Sequence, residues 1–551
     1  MPKELFLLLQ KQIQGEVVYD EETLQKYSHD TSIFEIKPLA VVYPKTSLDI
    51  SNIIKFVQDN KFTIPHLALT PRSGGSDMTG GAIGQGLIID VTRYLNQFEI
   101  DVKGLGAHVQ PGVFYRDFEP KSLKDNLIMP VYPASKNLAA FGGMISNNCA
   151  GEKSLQYGQM RNFVTSIKVV LSNGKEYEFK ELSFDQVQEI INGKDEFIAG
   201  IYRRVFHMIE QNYEFIQNAK PKTSKNSSGY ALWNVMNKEK QTFNLSQLFI
   251  GAQGTLGVVS DAHIRLVEQK PFEKIITVFM SSWNTLPKLV NDLLIHKPES
   301  LEVFDDTTLK LGLRFFPQIA KRIGQPLLKF LVSFIPEFFI GVRMLGLPKL
   351  IMLIELSANT QEELDQKIYA TEASLKDNKV IFRTIPTVEE AEKYFVVRRE
   401  SFNLLREKVK GKNTAPFIED FCVLPEKLPQ FLPELLAILK KNKIAVNIAG
   451  HAGNGNLHII PLMDLKDPKE RAKIVVVAKQ VYDLIISYGG TITAEHNDGI
   501  MRTPFVKEMF GERTYLLFKE IKNIFDANNI FNPGKKVDGT IEDIEKWMKR
   551  G

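Results

Sequence analysis

The sequence predicts an α+β fold of two parts with a helical tail. Three observations predict it. Short β-branched runs alternate with helical pattern and glycine turns from about Ala40 to Lys180. Strand–helix–strand units recur from about Lys274, and the residues after about Thr503 read as helix ending in an FNPGKK loop. The 551 residues, 44% hydrophobic and 24% charged, are an ordinary globular balance. A net charge of +4, from 69 basic and 65 acidic side chains, gives no electrostatic case for nucleic acid. Two cysteines, Cys149 and Cys422, are too few for a disulfide framework, a cysteine-ligated zinc site or an iron–sulfur cluster. That suggests a reducing, cytoplasmic setting and leaves any redox chemistry to an organic cofactor.

Taken in order, MPKELFLLLQ carries a charge-flanked apolar run, Leu5–Leu9, which reads as an amphipathic first helix. It is too short for a signal peptide or a span, and no stretch of about 18 apolar residues occurs elsewhere. AVVYP (Ala40–Pro44) is a strand, LDISNIIKFVQDN (Leu48–Asn60) a helix and GLIIDV (Gly86–Val91) a buried strand. SIKVVLSNGKEYEFK (Ser166–Lys180) is a hairpin turned by Asn173-Gly174. In the second part, KIITVFM, a helix over Leu286–His296 and SLEVFDD form one unit. LIMLIEL, the helix Gln361–Asp377 and KVIFRTI form another. KIAVNIAGHAGNGNLHIIPLM, a helix over Ala472–Tyr488 and a strand GTITAEH form a third. This repetition predicts a helix-backed antiparallel sheet of the ferredoxin-like kind.

Between these units lies residues 309–349, which from Lys310 to Lys349 hold seven basic residues against one acid, Glu337. Phe315, Phe316, Phe330, Phe334, Phe338 and Phe339 are interleaved with prolines 317, 326, 336 and 348. Such a basic, aromatic, amphipathic insertion suits a membrane interface, here the inner face of the cell membrane. Helical cover over an active site, or a contact in a homo-oligomer, fits the same pattern.

Three glycine-rich blocks carry the first chemical signal. Pro71–Gly81 follows strand-like IPHLALT and places glycines at 74, 75, 80 and 81, so backbone N–H groups can converge on an anion such as a pyrophosphate. It has neither the Rossmann nor the P-loop spacing. Pro133–Val164 follows, with Gly142, Gly143, Gly151 and Gly158 among Ser135, Asn147, Ser154 and Tyr157; then comes FIGAQGTLGVVSDAHIRL, with Gly251, Gly254 and Gly257.

The second signal is a histidine pair. Asn454-Gly455 is a two-residue hairpin turn by composition, and a hairpin centred there sets His451 directly opposite His458 on one face. Two imidazoles so placed can share a divalent ion, with Glu495, directly after GTITA, as an anionic third ligand. If the strand continues through Glu495, His496 points the other way.

RSGGSDMTGGA, FGGMISNNCAGEKSLQYG, KNSSGYAL (Lys225–Leu232) and GAQGTLGVVS together resemble the FAD-binding domain of the vanillyl-alcohol oxidase/p-cresol methylhydroxylase superfamily. FIEDFCVLP (Phe417–Pro425), GHAGNGNLH (Gly450–His458), AEHNDGIMRTP (Ala494–Pro504) and FDANNIFNPGKKV (Phe525–Val537) resemble its D-lactate dehydrogenase, glycolate oxidase subunit and D-2-hydroxyglutarate dehydrogenase branch. The resemblance runs from about Tyr27 to Val537. It implies a PCMH-type FAD-binding domain of two α+β subdomains over 1–268, a ferredoxin-like substrate domain over 269–500, and a helical segment over 501–551 that returns to the flavin. It also implies FAD contacts from Arg72, Ser73, Gly74, Gly75, Ser76, Asp77, Thr79 and Gly80. Further contacts would come from Pro133, Ser135, Gly142, Gly143, Asn147, Gly151, Ser154, Tyr157, Gly158, Gly254, Gly257, Val259 and Asn532. Ser76 stands where covalent members often carry histidine, so the FAD is expected to be noncovalent.

On the same resemblance His451, His458 and Glu495 are metal ligands, for zinc, manganese or iron. His496 is the base at the substrate hydroxyl, and Arg398, in YFVVRRESF, holds the substrate carboxylate. The sequence departs from the family at Gln253, common as glutamate, at Asn454, common as aspartate, and at AEHNDG in place of GEHGIG. Ile418 stands where D-2-hydroxyglutarate dehydrogenases place a lysine, which weakens the case for a second substrate carboxylate. The implied reaction is FAD-dependent oxidation of a small (R)-2-hydroxy acid, D-lactate first, with electrons passed to a quinone, a cytochrome or an electron-transfer flavoprotein. The alternatives are oxidation of another alcohol (2-hydroxyglutarate, glycolate or a sugar acid) and a non-catalytic flavin-binding subunit.

Overall fold

In a computed structural model, which describes residues 3–322, 326–387, 390–391, 393–396 and 413–550, three sheets organise the chain. Strands Ala40–Tyr43, Leu87–Asp90 and Leu69–Arg72 lie parallel, and Glu16–Val18 closes one edge antiparallel. The first two of them are wholly buried and, apart from Asp90 at the end of the second, apolar, as strands of a covered parallel sheet must be. Helix Ser47–Asn60 covers the sheet with Ile50, Ile53, Ile54 and Val57, starting at Thr46, whose hydroxyl accepts from Asp49 N at 3.2 Å. Helix Lys3–Gln12 buries Phe6 and Leu9 in the same core and leaves Leu7 and Leu8 exposed.

The second sheet is antiparallel, in the order Phe98–Asp101, Gly106–Val109, Val258–Arg265, Val164–Val170, Glu176–Lys180. Its last hairpin has a wider turn than the sequence suggests. Leu171 N donates to Lys175 O at 3.0 Å and Gly174 takes φ +74°, so three residues rather than two span the loop.

The third sheet carries the ferredoxin-like order. Ile381–Thr384, Phe272–Met280, Leu350–Ala358 and Ser300–Asp305 lie side by side as fourth, first, third and second strands of two β–α–β units, all antiparallel. Ser300–Asp305 then pairs with Val446–His451, which continues the sheet into Asn456–Met463. Helices Leu286–Leu294, Gln361–Asp377, Leu428–Lys441 and Pro468–Ser487 press their apolar stripes on one face. GTITAEH is not a strand: Thr491 alone bridges to Cys422, and the residues after it form an irregular loop.

The tail ties the two halves together. Helix Val506–Phe525 buries Leu517, Phe518, Ile521 and Phe525 in the N-terminal core. Residues 530–532 then run beside Leu69, which donates to Ile530 O at 2.7 Å and accepts from Asn532 N at 2.7 Å. The second core in turn takes Ile33, Phe34, Ile36 and Ile83 from the N-terminal half.

Candidate functional site

The loop after strand Leu69–Arg72 is shaped by one carboxylate. Asp77 Oδ2 accepts from Thr79 N and Oγ1 at 3.0 Å and from Gly81 N at 2.7 Å, while Oδ1 accepts from Asn147 Nδ2 at 3.1 Å. Among the described residues, the N–H groups of Ser73, Gly74, Gly75 and Ser76 meet no protein acceptor, and all four residues line a cavity of about 600 Å³. Four successive unmatched donors make an anion nest, and the volume is that of a cofactor cleft. A Cβ on Gly74 would lie 2.1 Å from Leu138 O, so only glycine lets the two loops close together. These features fit the phosphates of a flavin dinucleotide.

The cavity brings together most of the expected contacts. Arg72 to Asp77, Pro133, Ser135, Gly142, Gly143, Asn147, Gly254, Gly257 and Val259 line it, and His458, Glu495 and His496 line it as well. Thr79, Gly80, Gly151, Ser154, Tyr157, Gly158 and Asn532 do not. Several of them brace the loops that do. Thr79 bonds to Asp77, and a Cβ on Gly80 would meet Ile500 Cδ1 at 2.8 Å. Ser154 Oγ accepts from Gly151 N at 2.6 Å, and Gly158 ends the short helix Ser154–Tyr157 at φ +78°. Asn532 is fully buried and donates to Gly81 O at 2.8 Å and Gln253 O at 2.7 Å, which pins two loops to the tail.

Beside the cavity three side chains converge. Glu302 sits across from His451 in the sheet, and its Oε1 lies 2.7 Å from His451 Nδ1, with both residues buried. A carboxylate there keeps the hydrogen on Nδ1, so Nε2 presents its lone pair. That Nε2 is buried without a hydrogen bond and lies 3.4 Å from Glu495 Oε1; His458 Nε2 lies 3.2 Å from the same oxygen. A lone pair facing a carboxylate is repulsive unless a cation or proton stands between them. Two ligands of one ion at ~2.1 Å, subtending ~90–110°, are ~3.0–3.4 Å apart, so the donor set fits a divalent ion. Burial would raise the Glu495 carboxyl, but Lys225 and the two histidines outweigh it and hold the group well below the usual range. Lys225, itself fully buried, reaches Glu495 Oε2 at 3.3 Å and Asn456 Oδ1 at 3.1 Å, leaving Oε1 to the imidazoles.

The hairpin register differs from the expected one. Residues Ala452–Asn454 make a 3₁₀ turn and Gly455 is left-handed at φ +69°, so the loop has four residues; a Cβ on Gly455 would strike Val423 O at 1.8 Å. His451 consequently pairs with Asn456, and His458 with Ala449. The histidines are diagonal rather than opposite. A slip of two residues keeps both on one face, and their ring centroids are 5.3 Å apart.

His496 also departs from the expected direction. Asp420 Oδ2 accepts from Thr493 Oγ1 at 2.7 Å and from the backbone N of Ala494, Glu495 and His496 at 3.0, 2.9 and 2.7 Å. Asn497 then takes φ +72°. This wrapping turns Glu495 and His496 to the same side, where His496 Nε2 lies 3.7 Å from Glu495 Oε1 and its ring stacks on His458 at 5.1 Å. Its Nδ1 lies 2.5 Å from Glu419 Oε2, and Glu419 Oε1 accepts from the buried Arg502 at 2.6 Å. Burial would depress His496, but Glu419 and Asp420 outweigh it and lift the imidazole to about 10.

Arg398 lies outside the described residues. Lys225, Glu302, Glu419, Asp420 and Arg502 were not singled out by residue-level reasoning. All but Glu302 fall inside the quoted segments KNSSGYAL, FIEDFCVLP and AEHNDGIMRTP. The available signal was charge embedded among small or apolar neighbours, which implies burial with a partner.

Comparison with known proteins gives the family of the two halves. Residues 38–180 match the FAD binding domain, and residues 270–536 match the C-terminal domain of FAD linked oxidases. D-2-hydroxyglutarate dehydrogenase of Escherichia coli (strain K12) is 26% identical over 92% of this chain and 49% of its own length. The chain thus spans about half the length of the first curated relatives it matches. D-lactate dehydrogenase of Archaeoglobus fulgidus is 27% identical over 90% of this chain and 91% of its own. Among solved structures, 4-ethylphenol oxidase from Gulosibacter chungangensis superposes with a TM-score of 0.69 at 15% identity, covering 98% of each chain, a likeness of fold.

Proposed function

This chain belongs to the FAD linked oxidases, and from that premise we propose that it oxidises a small (R)-2-hydroxy acid, D-lactate first, to the 2-oxo acid. The observation that carries the reading is the convergence of His451 Nε2 and His458 Nε2 on one Glu495 oxygen, beside the cavity lined by the anion-binding loop. The substrate class follows the relatives named for D-lactate and D-2-hydroxyglutarate. A short side chain is favoured because Ile418, where D-2-hydroxyglutarate dehydrogenases place a lysine, is apolar and buried in the core.

Bound FAD would take up the two electrons, and a divalent ion would polarise the 2-hydroxyl. His451, His458 and Glu495 would hold the ion, with Glu302 fixing the tautomer of His451 and Lys225 balancing the second oxygen of Glu495. His496 would take the hydroxyl proton at Nε2. Glu419 orients that ring from Nδ1 and stabilises the charge it gains, and Arg502 in turn holds Glu419. With a cation held at Glu495, His496 would feel an opposing positive charge and could serve as the base. Arg398 is assigned the substrate carboxylate from the sequence resemblance. A quinone, a cytochrome or an electron-transfer flavoprotein would receive the electrons.

The test is dye reduction by the FAD-loaded chain with paired D- and L-2-hydroxy acids, with and without chelator. We expect turnover of the D-acids only, loss on chelation and recovery with zinc or manganese. Undiminished turnover in chelator would sink the metal assignment and favour a sugar-acid or alkyl-glycerol substrate. No turnover of any D-acid by flavin-loaded protein would leave a non-catalytic subunit.

A further inference from the structure

We propose that the helices inserted between strands Ser300–Asp305 and Leu350–Ala358 form a docking surface for an anionic lipid bilayer. The inference does not depend on the substrate reading. Helix Ile335–Arg343 exposes Ile335, Phe338, Phe339 and Val342, the i, i+3, i+4, i+7 stripe that in a globular helix faces the core. Phe338 and Phe339 are 69% and 66% exposed. Ile340 and Met344, on the opposite side, pack inward against the third sheet. The helix is therefore oriented with its larger apolar stripe outward.

The flanking turns extend the stripe. Leu345 follows the helix at φ +56°, an uncommon conformation for leucine, and is 97% exposed, so its side chain projects as a tip. Leu328 and Leu331, on the preceding helix Leu327–Val332, are exposed as well. An isolated exposed leucine needs no explanation, but exposed apolar side chains gathered on one helix face and its flanking turns mark an interaction site.

Charge selects the occupant. Two acids fall between these strands, Asp306 and Glu337, and Glu337 is turned inward, where Arg383 Nη1 lies 3.1 Å away, Lys393 Nζ lies 3.0 Å away and Tyr394 donates to it. Lys310 and Lys349 are occupied by Asp306 at 2.8 and 3.0 Å. The exposed remainder includes Arg314, Lys321 and Arg343, so among the described residues of the insertion both carboxylates are paired with bases and the outer surface is apolar and cationic. Projecting hydrophobes rimmed by cations match acyl chains beneath anionic headgroups, whereas a protein partner would have to supply a cleft for the Leu345 tip. No helix among the described residues is long and apolar enough to cross a membrane, so the contact is interfacial. Phe315, Phe316, Ile319 and Phe330 form a small core beneath the patch together with Val396, which also lines the cavity. Docking would thus bring the cavity wall close to the bilayer.

The experiment is co-sedimentation of the full FAD-loaded chain with vesicles of phosphatidylcholine containing phosphatidylglycerol, and with phosphatidylcholine alone. We expect binding to the anionic vesicles that weakens with salt. Arg314→Ser with Arg343→Ser should weaken it about fivefold for each charge removed. Phe338→Ser with Phe339→Ser should weaken it ~10-fold or more while dye reduction is unchanged. A Leu345→Trp variant should shift its emission to shorter wavelength on binding and be quenched by brominated acyl chains. Absence of wild-type binding to either vesicle would overturn the proposal, as would binding indifferent to the phenylalanine pair. Concentration-dependent dimers dissolved by the phenylalanine substitutions, without vesicle binding, would assign the patch to a second copy instead.

Discussion

Alanine in place of His451 is expected to lower the proposed D-2-hydroxy-acid turnover by ~10²–10³-fold while the protein keeps its full complement of FAD, on the scale set by losing one fixed electrostatic contact to a developing charge. Two observations separate the proposed metal site from the flavin cavity. His451 is not among the residues lining the cavity, so its loss leaves the nucleotide-binding wall intact. Its Nε2 lies 3.4 Å from Glu495 Oε1, so its loss breaks the donor set. Glu302→Gln is the graded companion. It keeps the ring in place but weakens control of the tautomer, and should cost ~10–100-fold in metal affinity. Flavin-to-protein ratio by absorbance, metal per chain by elemental analysis and dye-reduction kcat are the three readouts. Full turnover by His451→Ala with normal flavin would contradict the assignment.

The legible parts of this chain were those governed by local pattern. The helix Gln361–Asp377 falls at the residues its spacing indicates, and the two β–α–β units assemble in the ferredoxin-like order. What the pattern could not supply was long-range polar contact. GTITAEH has the β-branched look of a strand, yet its polar groups are claimed by Asp420, more than seventy residues earlier in the chain, and no periodicity carries that information. The His451/His458 hairpin failed more mildly. Asn454-Gly455 does mark the turn, but the loop is four residues long and its Gly455 O accepts from Val423 N at 3.1 Å, and the even slip kept both histidines on one face. Lys225 shows the remaining blind spot. A lysine in a Ser- and Gly-rich segment reads as a surface loop until Glu495 and Asn456 are seen around it.

Asp420→Asn is expected to destabilise the FAD-loaded protein by ~2–4 kcal/mol and to lower metal content and turnover together. One carboxylate oxygen accepts three backbone N–H groups and the Thr493 hydroxyl, and the other accepts from Asn456 Nδ2 at 3.2 Å. Every donor around it points inward, so an amide must aim its own NH₂ at another donor in either flip state. Hydrogen bonds to a charged acceptor contribute about 1.5–3 kcal/mol each against about 1 for neutral ones, and a buried donor left unmatched costs about 1–3 kcal/mol more. Asparagine tolerates the left-handed φ of +70° at this position better than alanine does, so the substitution isolates the lost charge from backbone strain. Loosening residues 493–496 releases Glu495 and His496 at once, and a displacement of about 1 Å at such groups costs ~10²-fold in rate. Thermal unfolding of the loaded protein, metal per chain and kcat should therefore fall in step. Lower stability with kcat and metal content unchanged would show that the loop keeps its catalytic geometry without Asp420, and that Glu419, Arg502 and Lys225 suffice to hold it.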